Sequence, residues 1–254
     1  MGSGTTNPVC IVGIDCAVDP RNVGLAIGRW NAGRVVVEET SDPRSFEEIV
    51  SYVASAMRRG PNALIALDAP LGWPVGLAEA LAGHEAGRPL GVTAHEMARR
   101  STDNVICEQL GRRPLDVGAD RIARTAHAAL EILGAVREQS GNSVPLAWTP
   151  GHVRGSAAIE VYPAGTLASR GLSSRGYKKG PAALAGRDQL TRALRDEIEM
   201  SEEVAQKMIR SDHALDAVLC VLAAADFVRG EVLRPKDEPR ARREGWIWVR
   251  PRRA

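Results

Sequence analysis

Apolar residues along this chain come in two rhythms: short unbroken runs, and longer stretches at helical spacing. The breaks between them fall on Gly, Pro, Asn and Asp. The first run is Val9-Cys10-Ile11-Val12-Gly13-Ile14, closed by Asp15-Cys16-Ala17. A short apolar run bounded by turn residues predicts a strand covered on both faces. Asp19-Pro20-Arg21-Asn22 signals a turn, and Val23 to Gly28 a second strand. Asn31-Ala32-Gly33 predicts a hairpin turn into a third strand, Arg34 to Thr40, antiparallel to the second. Ser41-Asp42-Pro43 then opens a predicted helix running to about Arg59. Its apolar stripe is Phe46, Ile49, Val50, Val53 and Met57, and Gly60-Pro61 stops it.

Ala63-Leu64-Ile65-Ala66-Leu67-Asp68-Ala69-Pro70 repeats the opening pattern, an apolar strand ending in Asp. A crossover through a helix makes it parallel to the first strand, so Asp15 and Asp68 are expected at one sheet edge. Ligands of open α/β sheets bind at such carboxyl ends.

The second half is less regular. A short helix is expected over Gly76 to Ala82. A longer one is expected from about Asp116 to Gln139, with Ile122, Ala126, Ala129, Leu130, Leu133 and Val136 on one face. Val144 to Trp148 reads as a short strand. Ala157 to Pro163 is a clearer one and carries Glu160. Arg187 to Glu199 reads as helical, and Ser201-Glu202-Glu203 opens another helix. Ser211 to Ala225 is almost wholly apolar and predicts a helix in the core. Gly245 to Val249 alternates like an edge strand or a segment folding back on the body.

Composition narrows the class. The chain has 254 residues, 44% hydrophobic and 25% charged, enough to bury a core without staples. A net charge of +2 gives no global basic field. Cys10, Cys16, Cys107 and Cys220 form no zinc spacing and read as free thiols, which suits a reducing cytoplasm. No apolar run reaches transmembrane length and no signal-peptide layout is expected, so no membrane partner is predicted. Residues 1–8 read as a mobile lead-in, followed by one domain over 9–254. That domain has a helical insertion around 76–140 and a basic tail over 229–254. Oligomeric state is left open, a homodimer among the options.

Candidate chemistry lies in the carboxylates. Burying an unpaired carboxylate is costly, so Asp15 and Asp68 must be paired, exposed at the strand end or bound to metal. Asp212 and Asp216 lie four apart at the start of an apolar helix. They share a face and repel, and a cation resolves the conflict. Asp212 also reads as an N-cap, whereas Asp216 has no such role. Glu160 is a further candidate acid, or an edge residue facing water. Arg100-Ser101-Thr102-Asp103 could hold a phosphate, or could be a helix end with its N-cap at Thr102 or Asp103. Tyr177 and Lys178 sit in a Gly/Ser-rich basic loop that could touch a phosphate backbone. Aromatic content is 4%, which argues against extensive base stacking. His84, His95 and Glu96 lack a metal-binding spacing and read as surface residues.

Gly13-Ile14-Asp15, Asp68-Ala69-Pro70, Arg100-Ser101-Thr102-Asp103, Glu160-Val161-Tyr162-Pro163, Gly176-Tyr177-Lys178 and Asp212-His213-Ala214-Leu215-Asp216-Ala217 occur in that order. The set resembles the predicted nucleases of domain-of-unknown-function family 429, over roughly Val9 to Val228. It is similar, more broadly, to the ribonuclease H-like fold. The resemblance implies an α/β protein with a mixed central sheet, a three-strand meander plus parallel strands, flanked by helices. It implies a nuclease acting on RNA or DNA, with catalytic acids Asp15, Asp68, Glu160, Asp212 and Asp216. Two Mg²⁺ or Mn²⁺ ions about 4 Å apart would act together on the phosphodiester. Asp15 would bridge them, with Asp68 and Asp216 as flanking ligands. Arg100, Asp103, Tyr177 and Lys178 would bind substrate, and His213 could shuttle protons. Glu47 or Glu48 would be the first-helix acid of the better-known layout. The same superfamily leaves two alternatives: an actin- or sugar-kinase-like phosphotransferase that binds nucleotides, and a catalytically silent binding domain.

Overall fold

The computed structural model of the chain describes residues 8–118 and 120–252. Residues 1–7 of the predicted lead-in, and Arg253 of the basic tail, lie outside the described residues. The chain opens with the meander β1 (Val9–Asp15), β2 (Gly24–Asn31) and β3 (Arg34–Ser41). Ala32 and Gly33 both take positive φ, 48° and 88°, which makes the β2–β3 connection a type I′ hairpin. Helix α1 (Phe46–Met57) crosses over to β4 (Ala63–Asp68). Next come α2 (Val75–Leu81), α3 (Ala94–Ala98), α4 (Ser101–Leu110) and α5 (Asp120–Ser140). The chain continues through β5 (Ser156–Glu160), α6 (Pro163–Ser169), α7 (Ala183–Leu194), β6 (Ile198–Met200) and α8 (Glu202–Arg210). It closes with α9 (Asp212–Arg229) and α10 (Glu238–Glu244).

The fold is mixed α/β. Six strands form one sheet in the order β5-β4-β1-β2-β3-β6. β1–β2 and β2–β3 pair antiparallel, while β1–β4, β4–β5 and β3–β6 pair parallel. Helices cover both faces, which is why β1 and β4 are apolar throughout rather than alternating. Val12, Ile14, Ile65 and Leu67 face α1 and α5. Ile11, Leu64 and Ala66 face α9, whose residues from Ala214 to Val228 are all buried. Two glycines bring α9 close to the sheet. A Cβ on Gly13 would stand 2.1 Å from the carbonyl oxygen of Ala217, and one on Gly24 would stand 2.2 Å from that of His213.

Several local expectations shift. Helix α1 starts at Phe46, with Ser45 as its cap accepting the Glu48 N–H, because Pro43 lies outside the helix. α5 starts at Asp120, not near Asp116. Val144 to Trp148 contributes a single bridge, Leu146 to Ala158, rather than a strand. The stretch expected to be helical from Arg187 to Glu199 ends as a helix at Leu194 and turns into β6, which pairs with β3. Residues 246–249 do not alternate in exposure. All four are buried, and Ile247 bridges to Glu160. No helix among the described residues is long and apolar enough to cross a membrane. The four cysteines are unpaired.

Candidate metal centre

Parallel pairing of β1 and β4 sets Asp15 directly opposite Asp68 at the last rung of the ladder. The helix α9 then delivers a third carboxylate. Ser211 caps it by accepting the Ala214 N–H, and Asp216 falls one turn inside. The close approach at Gly13 and Gly24 presses this first turn onto the ends of β1 and β2. One ligand oxygen from each of Asp15, Asp68 and Asp216 lies within 4.8 Å of the others.

The three are held differently. Asp15 accepts a hydrogen bond of 2.7 Å from Nδ1 of His213, so the ring proton sits on Nδ1. That hydrogen bond, against the opposing cost of burial, raises the His213 pKa above its ordinary value. Asp216 is fully buried. Its Oδ1 accepts from the Tyr177 hydroxyl at 2.8 Å, and its Oδ2 lies 2.5 Å from the Lys178 ammonium. Asp68 has neither a hydrogen bond nor an ion pair on its carboxylate among the described residues. Burial, with repulsion from Asp15 and Asp216, pushes the Asp68 pKa well up. Burial and the Asp15 charge raise Asp216 to about 6, although Lys178 and Tyr177 oppose the shift. Lys178 also holds its proton more tightly than usual, because the Asp216 charge outweighs the cost of burial.

Other buried acids of the chain behave otherwise. Asp226 of α9 is held by Arg170 at 2.9 Å and by Arg229 at 3.2 Å. Glu160 receives both guanidinium arms of Arg100, at 2.8 and 2.9 Å, and the Leu71 N–H at 2.9 Å. Arg100 also grips Asp103, at 2.9 Å. Glu244 accepts the Val75 and Ser101 N–H groups, the first residues of α2 and α4, at 3.0 and 2.7 Å. Each structural carboxylate thus has arginine or backbone donors of its own. Asp15 and Asp68 at the strand ends and Asp216 of α9 share one lysine and one histidine, an excess of negative charge that a cation relieves. Three carboxylates offering oxygen alone suit a hard cation.

A cavity of about 280 Å³ opens beside Asp15 and Asp68, with Lys178, Arg100 and Glu160 on its border. This geometry groups the sequence candidates. Asp15, Asp68 and Asp216 come together, with Lys178, Tyr177 and His213 touching them. Glu160, Arg100 and Asp103 form a separate buried knot on the cavity wall. Asp212 is the first residue of α9, one turn before Asp216, and stands outside the three-carboxylate group. Arg100 precedes α4, so neither Thr102 nor Asp103 is its N-cap; Asp103 instead accepts the Arg100 N–H at 3.0 Å. Glu48 is exposed at the start of α1 and accepts the Arg44 N–H. Glu47 and Glu48 do not join the cluster. Sequence reading missed Glu244 and Leu115. Glu244 lies in a basic tail with no motif, and Leu115 lies just before the predicted helix from about Asp116, in a stretch with no clear pattern.

The sequence model of the family described as "Protein of unknown function (DUF429)" matches residues 13–240. The chain belongs to that family. Asp15, Asp68, Glu160, Lys178 and Asp216 all lie within the family's span. Glu244 and Ile247, which close over the Arg100–Glu160 knot, lie beyond it. The chain matches no curated protein and no solved structure.

Proposed function

We propose that the chain is a metal-dependent nuclease of the ribonuclease H-like type, hydrolysing phosphodiester bonds at Asp15, Asp68 and Asp216. The observation that carries this reading is the convergence of these three carboxylates with too few positive partners. The meander, the crossover through α1, the parallel β4 and the late acid-bearing α9 are the layout expected of that fold, and they support the reading. Asp15, Asp68 and Asp216 would hold the metal through their carboxylate oxygens. A pair of Mg²⁺ or Mn²⁺ ions bound there would ionise a water and neutralise charge on the leaving oxygen.

The remaining residues have roles that follow from their contacts. His213 orients Asp15 through Nδ1. Tyr177 fixes Asp216, and Arg187 anchors the Tyr177 backbone by donating to its carbonyl at 2.7 Å. Lys178, half exposed at the cavity, balances the Asp216 charge and would meet an anionic substrate. Arg100, Asp103 and Glu160 shape the wall. The test is cleavage of labelled RNA and DNA oligonucleotides by the purified chain, with Mg²⁺, with Mn²⁺ and with chelator. Cleavage that needs metal and is lost in Asp15→Asn supports the reading. Absence of cleavage, or cleavage untouched by Asp15→Asn, overturns it.

A further inference from the structure

We propose that the cavity beside the aspartates is a subsite for one unpaired nucleobase, so that the substrate is single-stranded nucleic acid. This rests on the nuclease reading above and names the substrate class of the same site. Three observations carry it.

The first is size. At about 280 Å³ the cavity is slightly smaller than typical ligand pockets, which start at roughly 300 Å³. That volume suits one nucleotide unit at a time.

The second is the mixed chemistry of its lining. Asp15, Asp68 and Lys178 line the cavity. Pro114, Leu115 and Ile122, from the turn before α5 and its first residues, line it as well. Phosphate and sugar suit the polar groups and a base face suits the apolar ones. Leu115 is 69% exposed, the most exposed large apolar side chain among the described residues, and it borders this cavity. Its core packing does not account for that position.

The third is depth. Asp216 is 0% and Asp15 7% exposed, so a phosphodiester must leave the strand's surface and enter the recess to reach them. A base-paired strand resists that excursion, whereas an unpaired one makes it freely. The single aromatic residue on the border, Tyr162, fits a pocket for one base rather than a stacking platform.

The experiment measures binding and cleavage separately on the full chain. Fluorescence anisotropy with Ca²⁺ in place of Mg²⁺ compares a short single-stranded oligonucleotide with its blunt duplex. The variants are Leu115→Ser and, as a control, Leu184→Ser, an exposed leucine outside the cavity. The single strand is expected to bind about tenfold or more tighter than the duplex. Leu115→Ser is expected to weaken single-strand binding several-fold and leave the melting temperature unchanged, with Leu184→Ser matching wild type. Equal or tighter duplex binding, or single-strand binding indifferent to Leu115→Ser, overturns the inference even if metal-dependent cleavage is found. Single-strand binding that depends on Leu115, without cleavage in Mg²⁺ or Mn²⁺, upholds the subsite and overturns the nuclease reading.

Discussion

Lys178 places its ammonium 2.5 Å from Oδ2 of Asp216, a carboxylate with 1% side-chain exposure, while its own side chain is 51% exposed. The ammonium stands where a cation is wanted, so lysine and metal compete for the same oxygen. Lys178→Met therefore acts in two directions. Without metal, Asp216 loses its counter-charge and the chain loses stability, by about 1–2 kcal/mol once solvent access to the lysine is allowed for. With Mg²⁺ or Mn²⁺ present the deficit shrinks, because the ion replaces the lost charge. Thermal melts of both proteins, with and without metal, check this. A deficit that metal does not reduce contradicts it.

Asp68 carries the pH dependence. Its folded pKa, like the value of about 6 for Asp216, is raised above the ordinary 3.8 by burial and neighbouring carboxylates. A raised acid means that the folded state holds the proton more tightly. Its stabilising contribution is present at low pH and is lost as pH rises through the folded value. The metal-free chain should therefore lose stability as pH rises from about 4 to about 6 through the Asp216 range, with Asp68 adding to the loss. Asp68→Asn removes one of the repelling charges, so above that window the metal-free variant should match wild type or exceed it by about 1 kcal/mol. Denaturant unfolding at a series of pH values measures the difference. A variant less stable than wild type at neutral pH, by the same margin as in acid, contradicts this account.

Glu160 separates a ligand from a structural acid. Both its oxygens are taken by Arg100 and the Leu71 N–H. Glu160→Gln leaves a buried guanidinium short of charge, which costs about 3–5 kcal/mol in unfolding experiments. Metal-induced stabilisation should survive in the fraction that folds. If Glu160→Gln abolishes that stabilisation while the chain remains folded, Glu160 belongs to the metal site instead.

The carboxylates legible in the sequence are those that break an apolar run. Asp15 and Asp68 each end one, and the helical crossover between them implies the parallel pairing that sets them opposite each other. Asp216 stands out because it interrupts a helix with no polar face. What the sequence did not disclose are partnerships across long separations. Arg100 and Glu160 are 60 residues apart, and Tyr177 and Asp216 are 39 apart. Nothing local marks either pair. β6 escaped notice because three residues carry no period, and its existence depends on β3 offering a free edge. The tail over 246–249 looked alternating, yet all four residues are buried, because the segment closes over the Glu160 strand end.

The central claim is that Asp15, Asp68 and Asp216 bind a divalent cation. The most direct measurement is thermal stability during titration with Mg²⁺ and Mn²⁺, run on wild type, Asp15→Asn and Asp216→Asn. An ion that binds only the folded chain raises its stability by about 3 kcal/mol at a hundredfold excess over the dissociation constant. For a chain of this size that is several degrees, about 2–4 °C for each kcal/mol. The account predicts this rise in wild type and its loss in both variants. No rise in wild type, or an equal rise in all three proteins, contradicts it.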